Sequence, residues 1–377
     1  MSLGKRIVVS LLCICAANVH VLAGELVVGQ VAQVADPGSP GNQMRQGIQL
    51  YFDSLNDRGG VHGNKLKLVT KARGAESKDA VDKTRELIRE VTPIALMGFP
   101  GTGPTEALLQ ERVLDTAGIP MIGVRSGAPS LHKPVQPYLF HTRASYAQEV
   151  EKIVAHMGTI GHRKVVVFHE KSVFGLEGYS HAQSAVRGSR NMTLLGATTY
   201  DVNSVDVKAA VAAVQKLKPD AVIAVGTSNA VAEFYKQLKQ AGSPPFVVAL
   251  STADGAVIVK RVGKEFAHGL GIAQVVPDPS SKTSLLAREM QEDFKKFASP
   301  GTDLTQGAAE GYLAARVLHE GLRRVGPNPT PAKLRRALDS MKDVNLGGFK
   351  LSFSPANHSG SSYVDIAVIN PDGRMLR

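Results

Sequence analysis

Ile94-Ala-Leu-Met-Gly-Phe-Pro-Gly-Thr-Gly-Pro-Thr105 runs from an apolar strand through a glycine-rich turn into a helix, and Pro120-Met-Ile-Gly-Val-Arg-Ser-Gly-Ala-Pro129 repeats the strand-then-loop pattern soon after. Loops of Gly, Ser and Thr at the carboxyl ends of parallel strands offer backbone N–H groups, hydroxyls and a helix's positive end to a small polar ligand. Neither loop carries a nucleophile beside a base or a set of metal ligands, so the pair is suited to holding a molecule rather than reacting with it.

Outward from these loops, the hydrophobic pattern alternates between strand and helix periods. Residues 25–31 read as a strand, Met44, Ile48, Tyr51, Phe52 and Leu55 mark one face of a helix, and 66–69 read as the next strand. A helix over 77–91, a strand over 94–99, a helix over 102–117 and a strand over 120–124 extend the alternation, which predicts a parallel sheet. A second series opens at Ser145, spaced from Gln148 as a capping box, with its helix stopping near Gly161. Strands at 164–168, 194–199, 221–225 and 246–250 then alternate with helical stretches at 178–190, 205–217 and 229–240. The tail breaks the alternation: a strand at 270–275, helices at 284–297, 304–325 and 331–341, then extended 349–353 and 363–377, the last holding an Asn370-Pro-Asp-Gly373 turn. A tail of this kind returns to both units, and several chain crossings between two lobes make a hinge above a cleft.

The chain's start reads as a secretory signal. Lys5 and Arg6 precede an apolar run over 7–17, and Val21-Leu-Ala23 predicts cleavage after Ala23 or Gly24. The run is too short for a membrane span and is interrupted by Asn18 and His20. Cys13 and Cys15 are the only cysteines, so the mature chain is expected to contain no disulfide, thiol chemistry or cysteine metal site. At 377 residues the chain exceeds one ordinary core, which favours two domains. Its formal charge is +11, falling by two when the signal leaves. Lys and Arg are scattered among Asp and Glu without a basic run, which argues against nucleic acid; attraction of small anions and a plainly solvated basic surface both fit.

Catalytic motifs are absent. Gly4-Lys5 and Gly263-Lys264 continue as Arg6 and Glu265, not as a phosphate-binding loop, and no G-x-G-x-x-G follows the first strand. His169-Glu170 and His319-Glu320 lack the second histidine of a zinc protease, and Ser126 does not sit in a Gly-x-Ser-x-Gly elbow. No enzyme activity, cofactor or metal is expected.

Gly59-Gly-Val-His-Gly63 after Asn56-Asp57-Arg58, then Lys65-Leu-Lys-Leu-Val69, resembles the N-terminal signature of periplasmic type I solute-binding proteins, the leucine/isoleucine/valine-binding relatives that serve ABC importers. Ile119–Ile122, His141–Tyr146, Phe174-Gly175, Gln274–Pro277, Glu310-Gly-Tyr312 and Leu346–Phe349 extend the resemblance over the mature chain. It implies an α/β fold of two Rossmann-like lobes joined by a three-crossover hinge, a Venus flytrap. The crossovers fall near 142–145, 274–277 and 346–350; lobe 1 is then 25–143 plus 276–347, and lobe 2 is 144–275 plus 348–377, after a signal peptide over 1–24. The implied role is an exported, periplasmic, monomeric receptor that captures a carboxylate-bearing solute, an amino acid or an organic or aromatic acid. It would deliver that solute to a membrane permease with ATPase subunits; a sensor docking on a regulator or receptor is the alternative.

The resemblance also implies site residues. Thr102 and Gly103 fall where relatives hold the ligand carboxylate, although Thr102 is equally placed to cap a helix. Arg125, Ser126 and Gly127 match a second loop that carries small residues in the relatives; Arg125 is either a carboxylate clamp or a surface arginine beside a turn. Phe174 matches an aromatic that covers the ligand, with Tyr146 beside the first crossover, and both also suit core packing. Thr227 and Ser228 match a further ligand-facing position and are equally placed to cap a helix. Relatives place an acid for the ligand ammonium near Ser251, where this chain's nearest acid is Asp254. Reductant and chelator are expected to leave the melting temperature of the mature protein unchanged, and a shift of several degrees with either would contradict the reading of its cysteines.

Overall fold

The computed structural model describes residues 24–242 and 244–377, so the expected leader through Ala23, with Cys13 and Cys15, lies outside the described residues. The first unit comprises β1 (Glu25–Ala32), α1 (Pro40–Asp57), β2 (Lys65–Ala72), α2 (Ser77–Val91), β3 (Ala95–Met97), α3 (Thr102–Gln110), α4 (Val113–Ala117), β4 (Met121–Ile122), α5 (Pro129–His132) and β5 (Leu139–Phe140). Its five strands form a parallel sheet in the order β2-β1-β3-β4-β5. Helices cover both faces, which is why Val28 to Ala32 are all buried instead of alternating.

The second unit comprises α6 (Tyr146–Thr159), β6 (Lys164–Glu170), α7 (Val173–Gly188), β7 (Thr193–Tyr200), α8 (Lys208–Leu217), β8 (Ala221–Val225), α9 (Ser228–Gln240), β9 (Phe246–Ala249), α10 (Gly255–Ala267) and β10 (Gly271–Gln274). The tail adds α11 (Leu285–Phe297), α12 (Gln306–Val325), α13 (Pro331–Asp339), β11 (Val344–Leu346), β12 (Phe349–Leu351), β13 (Asp365–Ile369) and β14 (Met375–Leu376). The second sheet runs β14-β13-β10-β9-β8-β6-β7, with β13 and β14 forming an antiparallel edge on an otherwise parallel sheet. No helix among the described residues is long and apolar enough to cross a membrane.

Several elements depart from the sequence expectation for identifiable reasons. The single helix expected over 102–117 breaks at Arg112, whose φ is 51°. Leu108 and Leu114 are both buried, yet on an unbroken helix residues six apart point about 120° away from each other. The helix expected from 178 starts at Val173, where the Ser172 hydroxyl caps the Gly175 N–H. Helix α10, unexpected from sequence, is capped by Asp254 and carries non-helical Gly263, which hid its periodicity.

The chain passes between the sheets after β5, after β10 and again before β13. Residues 346–349 form the turn of the β11–β12 hairpin, with Gly347 and Gly348 at φ 69° and 93°. Leu346, Phe349, Leu351 and Phe353 pack with Leu286 and Met290 in the core of the first unit. The chain returns to the second sheet only between Ser361 and Asp365. Just before that return it is stapled to the first passage: the His141 N–H donates to the His358 carbonyl at 2.9 Å, and the Gly360 N–H to the His141 carbonyl at 2.8 Å.

Helices α1 and α12 meet backbone to backbone. A Cβ on Gly47 would lie 1.8 Å from the Ala308 carbonyl oxygen, and one on Gly311 would lie 2.3 Å from that of Met44. Only glycine permits this approach.

Beside the staple, the rings of His132 and His141 stack at 3.7 Å, and His132 Nδ1 lies 2.7 Å from the Ser359 hydroxyl. Burial, reinforced by the charge of Arg143, pushes His132 down to about 2 and His141 to about 4. The unfolded chain takes up these protons near pH 6.5 and the folded chain does not, so the stabilisation is complete above 6.5 and is lost as pH falls. Urea unfolding is expected to weaken below pH 6.5 by about 1.4 kcal/mol per pH unit for each ring. His141→Gln should remove about half of that dependence between pH 6.5 and 5, leaving the share of His132; an unaltered slope would contradict the assignment.

Candidate functional site

A cavity of about 350 Å3 lies between the two units. Its wall comes from the carboxyl ends of eight strands: Gln33 follows β1, Arg73 β2, Pro100 β3, Arg125 β4, Glu170 ends β6, Val202 follows β7, Thr227 β8 and Thr252 β9. Parallel sheets gather their ligand-facing loops at this end.

Six residues expected from sequence reach the wall: Thr102, Gly103, Arg125, Tyr146, Phe174 and Thr227. Thr102 does not cap α3, since Gly101 holds that position; its hydroxyl lies 2.8 Å from that of Ser126. The rings of Tyr146 and Phe174 meet edge to face at 5.5 Å. Thr227 stands at the cap position of α9 without a side-chain cap bond, and its N–H donates to the Tyr200 hydroxyl oxygen at 3.0 Å. Arg125 is 4% exposed, not a surface arginine: its Nε lies 3.3 Å from Glu310, and its Nη1 donates to Gln43.

The other four stand one layer back. Ser126 is fully buried and its oxygen accepts the Ala128 N–H at 3.2 Å, bracing the loop. The Gly127 carbonyl accepts the Tyr146 N–H at 2.6 Å, and a Cβ on Gly127 would lie 2.8 Å from the Tyr146 ring. Ser228 accepts the Asp254 N–H at 2.9 Å. Asp254 caps α10 through the Ala256 and Val257 N–H groups, and its second oxygen accepts the Gly307 N–H at 3.3 Å at the start of α12. The expected ammonium partner is therefore occupied by main-chain donors from both units.

Sequence reasoning missed Arg73 and Glu170. Arg73 donates to the carbonyls of Gly74 at 2.7 Å and Pro100 at 3.3 Å, and burial draws its pKa down. It forms no salt bridge among the described residues. Glu170 accepts the Tyr200 hydroxyl at 3.0 Å. The signal was available: each lies at the carboxyl end of a parallel strand, as the two glycine loops do.

Behind the wall runs a buried chain of charges. Arg125 pairs with Glu310 of α12, Glu310 with Arg143 of the first passage at 3.2 Å, and Arg143 with Glu149 of α6 at 2.6 Å. The Ser251 N–H and hydroxyl both donate to Glu149, and Arg143 donates to the Ser251 oxygen. Burial works against the charge on Arg143, but Glu310 and Glu149 outweigh it and hold the guanidinium above its ordinary pKa. Ser251 thus belongs to this network, away from the cavity wall.

Two parallel-sheet units, three chain passages between them and a cavity built from their facing loops define a hinged solute-binding protein. The sequence profile described as "Periplasmic binding protein" matches residues 32–374, and the chain belongs to that family, whose members bind solutes and are not enzymes. It is similar to the Leu/Ile/Val-binding protein homolog 3 of Brucella melitensis, at 22% identity over 91% of this chain and 90% of that one. Among solved structures it is similar to a substrate-binding periplasmic protein from Ralstonia solanacearum, with TM-score 0.88 and 29% identity over 93% of this chain and 99% of that one. An extracellular ligand-binding receptor from Verminephrobacter eiseniae gives TM-score 0.88 and 28% identity over 94% and 100%.

Arg143→Met is expected to leave Glu149 and Glu310 buried one partner short and to cost about 3 to 5 kcal/mol in urea unfolding. Lys171→Ala, which removes an exposed pair with Asp201, should change little. Equal losses from the two would contradict the weight given to the buried chain.

Proposed function

We propose that this protein is a periplasmic receptor that captures a small carboxylate-bearing solute between its lobes and delivers it to the membrane permease of an ABC importer. The observation that carries this reading is the cavity walled by strand ends of both sheets. Residues 25–143 with 276–361 make one lobe, and 144–275 with 362–377 the other. Thr102 and Gly103 open α3, where the helix's positive end and free N–H groups favour an anion. Arg73 and Arg125 stand beside them on the same lobe. Tyr146, Phe174 and Thr227 meet the solute from the other lobe as the cleft closes. Closure follows occupancy because only the closed form makes both sets of contacts, and a ligand shifts an equilibrium by its differential affinity for the two states. The name of the Brucella relative and the membership of the family support a solute-binding role.

The test is a thermal-shift screen of amino acids, aromatic acids and dicarboxylates on solute-stripped protein, followed by small-angle scattering with each hit. A hit at a hundred times its Kd should stabilise by about 2.7 kcal/mol and reduce the radius of gyration. Arg73→Ala should weaken it by more than about tenfold, the worth of a lost charge-assisted hydrogen bond. The absence of any hit, or an unchanged scattering profile, would overturn the reading.

A further inference from the structure

Glu170 pairs with no cation among the described residues. It is 7% exposed at the carboxyl end of β6, on the cavity wall, and forms no salt bridge among the described residues. Lys171, its neighbour in sequence, turns instead to Asp201 at 2.8 Å. The other buried acids near the cleft are all engaged: Glu149 and Glu310 by arginines, Asp254 by main-chain N–H groups. A largely buried carboxylate with no cation beside it carries a desolvation cost that a cationic group brought into the cavity would offset.

The surroundings of Glu170 hold it as an acceptor. Tyr200 donates its proton to Oε2 at 3.0 Å, while the Tyr200 oxygen accepts the Thr227 N–H at 3.0 Å. Burial, followed by the charge of Glu170, raises the pKa of Tyr200, so that proton stays on the phenol. The first turn of α7 supplies no donor to the carboxylate, because Ser172 takes the Gly175 N–H. The main chain is fixed as well: a Cβ on Gly175 would lie 1.9 Å from the Glu170 carbonyl oxygen. The remaining oxygen, Oε1, has no hydrogen-bond partner among the described residues.

On the wall of the same cavity, Arg73 is bound among the described residues only to carbonyl oxygens. Among the described residues the wall therefore presents a cation without a salt bridge on one lobe and a carboxylate without one on the other, with the rings of Tyr146 and Phe174 on the wall as well.

We infer that Glu170 receives a protonated nitrogen of the solute, which makes the solute zwitterionic, with its acid on the Arg73 side of the cleft and its nitrogen on the Glu170 side. This rests on the receptor reading above. It moves the cation-binding position away from 251 and 254, whose side chains are committed to the hinge and to a helix cap.

The test is calorimetric titration of the solute-stripped chain with three pairs that differ only in the amine: phenylalanine and 3-phenylpropanoate, leucine and 4-methylpentanoate, 4-aminobutanoate and butanoate. At least one amine is expected to bind about tenfold or more tightly than its partner, and Glu170→Gln should reduce that ratio below about threefold without weakening the amine-free acid. Tyr200→Phe, which keeps the carboxylate but removes the hydroxyl that orients it, should lower the ratio partly and serves if Glu170→Gln does not fold. Equal binding within every pair, or a ratio that survives Glu170→Gln, overturns the inference. Binding of the amine-free acids alone, with compaction, overturns it and leaves the receptor reading standing. Binding of none of the six compounds, with a blank screen, overturns both.

Discussion

The fold turns on a line of alternating charge buried at the hinge. Arg125, Glu310, Arg143 and Glu149 come in turn from the cavity wall, helix α12, the first passage between the sheets and helix α6. Each is nearly or wholly buried, so no member can be lost without leaving its neighbours desolvated and unpaired. Such a line specifies more than it stabilises. It ties the floor of the cavity to the axis about which the lobes move, and it fixes the sequence around it. Gly47 and Gly311 let α1 and α12 approach closely enough to set Glu310 in place. Ser251 bridges the carboxylate of Glu149 and the guanidinium of Arg143.

Much of the architecture is legible in the sequence because parallel strands covered on both faces read as apolar runs punctuated by glycine. Helix α2 and strand β8 fall on the residues that periodicity marks, and the capping box of Ser145 and Gln148 is formed. What escapes is short or interrupted. Strand β5 is two residues long, too few to carry a period, and Gly263 breaks the pattern of α10. The Gly347-Gly348 pair suggests a passage between lobes but serves as a hairpin turn, since glycine signals a change of direction without saying to what.

The cavity wall is legible to the depth of the loops and no further. A loop after a parallel strand marks a face of the molecule, and Thr102, Gly103 and Thr227 reach it. Side-chain direction is set by what else needs satisfying. Asp254 turns to the N–H groups of α10 and α12, and Ser126 to its own loop, because buried donors left unmet are costly. Arg73 and Glu170 escape notice for the opposite reason: neither belongs to a recognisable motif, and their place at the carboxyl ends of β2 and β6 is the one signal the sequence offers.

The late third passage has a consequence for how the chain acquires its structure. The core of the first unit includes Leu351 and Phe353, and the core of the second includes Ile369. Neither hydrophobic interior can be completed from a contiguous stretch of chain, since each waits for segments more than a hundred residues beyond its first strand. A nascent chain of this topology has no finished lobe until Phe353 and Ile369 have emerged, and its slowest contacts are those of greatest sequence separation. The order in which the ends meet, rather than the stability of either half, governs when this protein first becomes compact.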